Sequence, residues 1–135
     1  AACNGSLGKA LLMASSGESP VVERAREVLD AALREPVSGV LAMCSALARK
    51  HGAEGVLDLV MELRALVHDL IRRWHGKCCL YHPEEDLPDL GGDRERYLVE
   101  MTGKLDTCER RIRRNVAPSM ALEAALLGAR AGAAG

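Results

Sequence analysis

Three stretches carry residues whose types could do chemistry. The first is Asn4-Gly5-Ser6-Leu7-Gly8-Lys9-Ala10-Leu11. Glycines with a lysine can cradle a phosphate through backbone N–H groups and one ammonium. The phosphate-loop pattern G-x-x-x-x-G-K-[ST] would need glycine at position 3 and Ser or Thr at position 10. The chain has Cys3 and Ala10, and no strand-like run stands ahead of them. The second stretch is His75-Gly76-Lys77-Cys78-Cys79-Leu80-Tyr81-His82. Cysteine and histidine are zinc ligands, but a structural site takes four of them, with two to four residues between paired cysteines. Cys78 and Cys79 are adjacent, so the usable set is Cys78, Cys79 and His82, with no second pair at a suitable spacing. The third is Arg110-Arg111-Ile112-Arg113-Arg114, four guanidinium groups that could meet phosphate or the carboxylates of a subunit. A duplex-binding stripe would be broader and backed by net positive charge. No cysteine stands at a helix start beside positive charge, where a reactive thiolate would form. His51, His68, His75 and His82 fall near helix ends or on polar faces. The residues give no catalytic constellation and no cofactor.

The background explains which elements must hold these stretches. The chain has 135 residues, suited to one domain with a real core. Hydrophobic residues make up 48%, charged residues 27%, and the net charge is −1. This balance argues against disorder and gives no bulk attraction to nucleic acid. There is one Trp, two Tyr and no Phe, so Ala, Leu, Val and Met must fill the core. Most of these are helix formers. Five cysteines, an odd number with two adjacent, suit a reducing compartment rather than a disulfide framework, and hence the cytoplasm. No signal peptide and no membrane-spanning run is visible.

The pattern predicts an all-α bundle of about five main helices with a short leading helix. Leu7, Leu11 and Leu12 share the face of the leading one. Ser19-Pro20 opens the next, with serine as N-cap and proline in the first turn, and Pro36 stops it. A third runs from about Pro36 to His51 on Val40, Leu41, Cys44, Leu47 and Ala48, with Gly52 as its C′ residue. A fourth runs from Ala53 to Trp74 on Val56, Leu59, Val60, Leu63, Leu66, Val67, Leu70, Ile71 and Trp74. Residues 77–92 hold Pro83, Pro88, Gly91, Gly92 and the acidic run Glu84-Glu85-Asp86, and read as a loop. A fifth helix, from about Asp93 to Val116, carries Tyr97, Leu98, Met101, Leu105, Cys108 and Ile112. The last begins at Pro118 and is apolar nearly all round, so it needs burial on several sides. Its small-residue tail, from Gly128 to Gly135, is expected to fray.

With these elements set out, Arg110-Arg111-Ile112-Arg113-Arg114-Asn115-Val116-Ala117-Pro118-Ser119-Met120-Ala121-Leu122-Glu123-Ala124-Ala125-Leu126-Leu127 resembles the end of bacterial DNA polymerase III clamp-loader subunits, whose pattern reads roughly R-x-L-x-x-N-V-N-P-x-L-A-L-E-x-L-L. The likeness is greatest to the delta-prime kind. Leu63-Arg64-Ala65-Leu66-Val67 resembles that family's L-R-D-L-L helix, and Gly5-Ser6-Leu7-Gly8-Lys9-Ala10-Leu11 its G-S-x-G-R-A-L segment. The resemblance implies a lid remnant of the ATPase module over 1–16, with Ser6 and Lys9 in sensor-2-like positions, and a helical collar domain over 17–135. It implies a fragment whose ATPase-like module lies upstream. It also implies a non-catalytic role: collar domains of five subunits pack into a ring that holds the loader together. Partners would be the other loader subunits, with no direct nucleic-acid or membrane contact. The implied interface residues are Arg110, Arg111, Arg113, Arg114, Asn115, Pro118, Leu122 and Leu126. Ala117 stands where the family has Asn, which removes a helix cap, and Lys9 stands for Arg and lacks its bidentate fork.

Two other readings remain open on the sequence. One is the collar of the gamma/tau subunit. The other is a stand-alone helical metal- or redox-responsive regulator using Cys78, Cys79 and His82.

Overall fold

The computed structural model describes residues 20–81 and 94–134. All of its regular structure among these residues is helical, in the order α1 (Pro20–Arg34), α2 (Val37–Trp74), α3 (Glu95–Arg113) and α4 (Pro118–Ala134). The expected leading helix, the Ser19 cap and the acidic run lie outside the described residues.

Helix α2 is two rods joined end to end. Gly52 sits inside it at φ 69°, ψ −174°, a conformation open almost only to glycine. The break falls where the spacing predicts one helix to end and the next to begin. A side chain at Gly52 would meet nothing within 4 Å, so the requirement for glycine is purely one of backbone conformation. Counted as rods, the described residues hold the five main helices expected.

Each helix buries most of the stripe that its spacing announces, although Leu41 of the first rod of α2 is exposed. Val22, Ala25, Val28, Leu29 and Ala32 of α1 are buried. So are Val56, Leu59, Val60, Leu63, Leu66, Val67 and Leu70 in the second rod of α2. Tyr97, Leu98, Met101, Leu105, Cys108 and Ile112 complete the core from α3. Trp74 departs from its expected place and is 49% exposed, because the helix ends there and carries the indole past the core.

Long-range pairs give the topology. Arg64 of α2 meets Glu109, and His75 meets Glu95 at 2.8 Å, so the second rod of α2 runs antiparallel to α3. Helix α4 folds back along α3. Lys104 lies beside Gly128, and Glu100 lies so close to Gly132 that an added Cβ would sit 2.8 Å from its carboxylate.

The tail expected to fray is ordered instead. Helix α4 continues to Ala134, with Ala129 fully buried. Arg130 donates two hydrogen bonds to the Ala32 carbonyl, one of them from Nε at 3.1 Å. That carbonyl lies in the last turn of α1, where backbone acceptors lack helical partners. The small residues do not weaken this helix end, because they let α3 approach closely.

Candidate functional site

The corner between α3 and α4 holds most of the residues that the clamp-loader likeness singles out. Its geometry follows from local sequence. Arg114 closes α3, and Asn115 takes φ 67°, the left-handed conformation that Asn tolerates better than most residues. The Asn115 N–H then bonds the Ile112 carbonyl, and the Val116 N–H bonds the Arg111 carbonyl. This is the Schellman pair of hydrogen bonds. Pro118 restarts the chain as the first residue of α4, where its fixed φ suits a helix and its missing N–H costs nothing. Ala117 precedes it, and its carbonyl accepts the Ala121 N–H. Its methyl group cannot cap the free N–H groups of the first turn.

The four arginines divide into two pairs. Arg110 reaches Asp106 at 3.1 Å, and Arg113 reaches Glu109 at 3.0 Å, each one turn back on α3. Arg64 from α2 completes this cluster, contacting Glu109 and lying 3.5 Å from Asp106. Arg64 thus meets the turn of α3 just ahead of the Arg110–Leu127 stretch. Arg111 and Arg114 make no ion pair among the described residues, and both are exposed. They lie at the negative end of the α3 dipole, which favours positive charge. Val116 and Met120 are exposed beside them in the chain. Leu122 and Leu126 are fully buried in the chain's own core. A partner at this corner would meet Arg111, Arg114, Asn115 and Met120, not those two leucines.

The His–Cys stretch opens on a second corner and spreads its ligand candidates apart. Gly76, at φ 70°, ends α2 through the same pair of bonds, from Gly76 to Arg73 and from Lys77 to Arg72. Cys79 then turns into the core, while Cys78 is exposed. His75 is engaged by Glu95, which ties together the two ends of the connection into α3. His82, Ser6 and Lys9 lie outside the described residues. Among the described residues, no three of His, Cys, Asp and Glu are placed to hold a metal ion.

The sequence reading missed the residue that organises this second corner. Asp69 is fully buried, the one buried charged group among the described residues. Its carboxylate accepts the Leu80 N–H at 2.7 Å and the Tyr81 N–H at 3.0 Å. Arg72 adds a bond from Nε to the Cys78 carbonyl at 2.6 Å. Tyr81 packs edge-on against His68, ring centres 5.5 Å apart. One signal was present: Asp69 lies between Val67 and Leu70 on an otherwise apolar stripe.

Burial holds Cys44, Cys108 and Tyr97 of the core neutral. Burial pushes the Cys44 thiol up to about 12, with Glu123 and Cys108 adding to the effect. Burial also raises Cys108, to about 11, against the opposing pull of Arg111. Neither thiol is a nucleophile at neutral pH. Burial also raises the Tyr97 hydroxyl, and it has no hydrogen-bond partner among the described residues.

Comparisons with family models, with curated proteins and with solved structures give no match to this chain. Among the described residues, no helix is long and apolar enough to cross a membrane.

Proposed function

We propose that this chain is a non-catalytic assembly domain that works by binding other proteins, of the collar kind found in bacterial clamp loaders. The finer assignment is to the delta-prime subunit of DNA polymerase III. The observation that carries this reading is the α3–α4 corner. Its Arg-rich helix end, left-handed Asn115 and helix-starting Pro118 form one corner within the stretch that resembles the family's end. The same corner presents two uncommitted guanidinium groups beside exposed Val116 and Met120. Arginine with adjoining apolar surface is the composition favoured at protein interfaces. On this reading the domain resides in the cytoplasm, its partners are the other loader subunits, and it touches neither nucleic acid nor membrane directly.

Reconstitution tests the proposal. The chain is mixed with the remaining loader subunits of its native source and the assembly followed by size-exclusion chromatography. Stoichiometric incorporation is expected. The double substitution Arg111→Glu with Arg114→Glu should abolish it while far-UV circular dichroism stays unchanged. A folded chain that never joins the assembly overturns the reading.

A further inference from the structure

Helix α4 is apolar on two opposite sides; the chain's own core covers one of them and, on the other, only part of Leu127. Ala121, Leu122, Ala125, Leu126 and Ala129 are buried. On the other side Met120 is 63% exposed. Ala124 and Ala131 are exposed there too, and Leu127 is half-buried. These four recur at steps of four, three and four, the spacing of a seam that seats a second helix. No charge interrupts the seam. Glu123 and Arg130 flank it along one edge, seven residues apart.

We infer that this seam is where a second copy of the chain docks, antiparallel, about a two-fold axis passing between Ala124 and Leu127. Size complementarity selects that occupant. In such a pairing residue i meets j and j meets i. Met120 then lies opposite the partner's Ala131, and Leu127 opposite the partner's Ala124. Each large side chain meets a small one, so the two helices interdigitate without a gap. A parallel pair in register would set Met120 on Met120 and Ala124 on Ala124.

Charge selects the same arrangement. The two-fold axis carries Glu123 toward the partner's Arg130 and, by symmetry, Arg130 toward the partner's Glu123. A parallel pair would place these two residues against the partner's opposite edge, which carries Ala121 and Gly128, and would form no ion pair. Arg130 is already oriented, since its Nε and Nη2 donate to the Ala32 carbonyl. Its Nη1 has no partner among the described residues and is left for a carboxylate. A three-turn seam covers less than the roughly 800 Å² per partner of a standard interface, so dissociation is expected on the order of tens of micromolar. This inference does not rest on the clamp-loader reading, which concerns the α3–α4 corner and other subunits, although the two surfaces share Met120.

Sedimentation of the chain alone, from micromolar to millimolar concentration, tests it. A reversible monomer–dimer equilibrium with no larger species is expected. Raising the salt should weaken it, because the two ion pairs are screened. Ala124→Arg places two charges at the axis and should weaken the dimer at least about tenfold. Its thermal unfolding should match the parent, since Ala124 is exposed. Cysteine pairing reads the orientation, in a background carrying Cys3→Ser and Cys78→Ser. Mixing Met120→Cys chains with Ala131→Cys chains should give cross-linked dimer in far higher yield than Met120→Cys chains alone. Three results would overturn the proposal: a monomer throughout the range, whatever else covers the seam; dimerisation that Ala124→Arg leaves intact; or Met120→Cys chains that cross-link best with themselves.

Discussion

The chain leaves α2 through Gly76 and leaves α3 through Asn115, and both exits close with the same two backbone hydrogen bonds. Beyond these turns the two corners differ. After Asn115 the next helix starts within three residues, at Pro118, and the corner is complete in local terms. After Gly76 the chain runs on as a strap held by contacts that reach back into α2: Arg72 to the Cys78 carbonyl, and Asp69 to the N–H groups of Leu80 and Tyr81. The same backbone turn thus makes one self-sufficient corner and one that depends on a buried carboxylate seven residues upstream of Gly76. A turn residue fixes where a helix stops, but not where the chain goes next.

The largest effect expected from breaking this comparison is at Asp69. Asp69→Ala leaves two N–H groups without their acceptor and should cost about 3 kcal/mol in denaturant unfolding. Asp69→Asn keeps one acceptor oxygen and should cost less. The strap carries its own reporter. In the parent, a thiol reagent should modify Cys78 at once and spare Cys44, Cys79 and Cys108 until unfolding. In Asp69→Ala, Cys79 should become reactive while Cys44 and Cys108 stay protected. If Cys79 remains protected, Asp69 does not hold the strap.

Backbone substitutions come next. Gly52→Ala should cost about 2 kcal/mol, because the conformation there excludes a side chain almost entirely. Gly76→Ala should cost about 1 kcal/mol, since the left-handed region is merely strained for alanine. Neither site has an atom within 4 Å of an added Cβ, so both costs report backbone conformation alone. Asn115→Gly has the opposite sign. It should stabilise the α3–α4 corner by up to about 0.5 kcal/mol, because glycine reaches the left-handed conformation without strain. A loss of stability would mean that the Asn115 side chain does more than permit the turn.

The smallest effect expected is a pH dependence from a third helix end, at the Gly52 break. His51 is lowered below its ordinary value of 6.5, first by burial and then by Arg24 and Lys50. Below about pH 6.5 the unfolded chain takes up a proton that the folded chain resists. Stability should therefore fall slightly as pH drops through that region, and His51→Gln should flatten this part of the profile. A stability that rises on acidification through the same window would overturn the sign.

Much of the helical architecture was legible because it is written in spacing. Val56 through Leu70 repeat at helical intervals over four turns, and any packing of that rod must bury the same face. Gly52, Gly76 and Pro118 mark boundaries by local stereochemistry, which needs no partner. The misses are all long-range. Trp74 keeps the period but lies where the helix leaves the core. The tail beyond Gly128 is composed like a fraying end, and only the approach of Glu100 and Lys104, with the Ala32 carbonyl awaiting Arg130, makes it a helix. Asp69 looked like an interruption of a stripe until the strap returned to it.

For the candidate site the division is the same. The sequence by itself determined that four arginines crowd the end of one helix, that Pro118 starts the next, and that the last helix is apolar nearly all round. Each follows from residue type and spacing, because helix periodicity and turn stereochemistry act over a few residues. The left-handed turn at Asn115 falls inside the helix expected to run to Val116. Only the tertiary structure decided that Arg110 and Arg113 are held by neighbouring carboxylates while Arg111 and Arg114 remain open. It alone sent Leu122 and Leu126 inward, half-buried Leu127, and left Met120, Ala124 and Ala131 facing out. A helix with two apolar sides can bury either one, and the choice belongs to the helices packed against it.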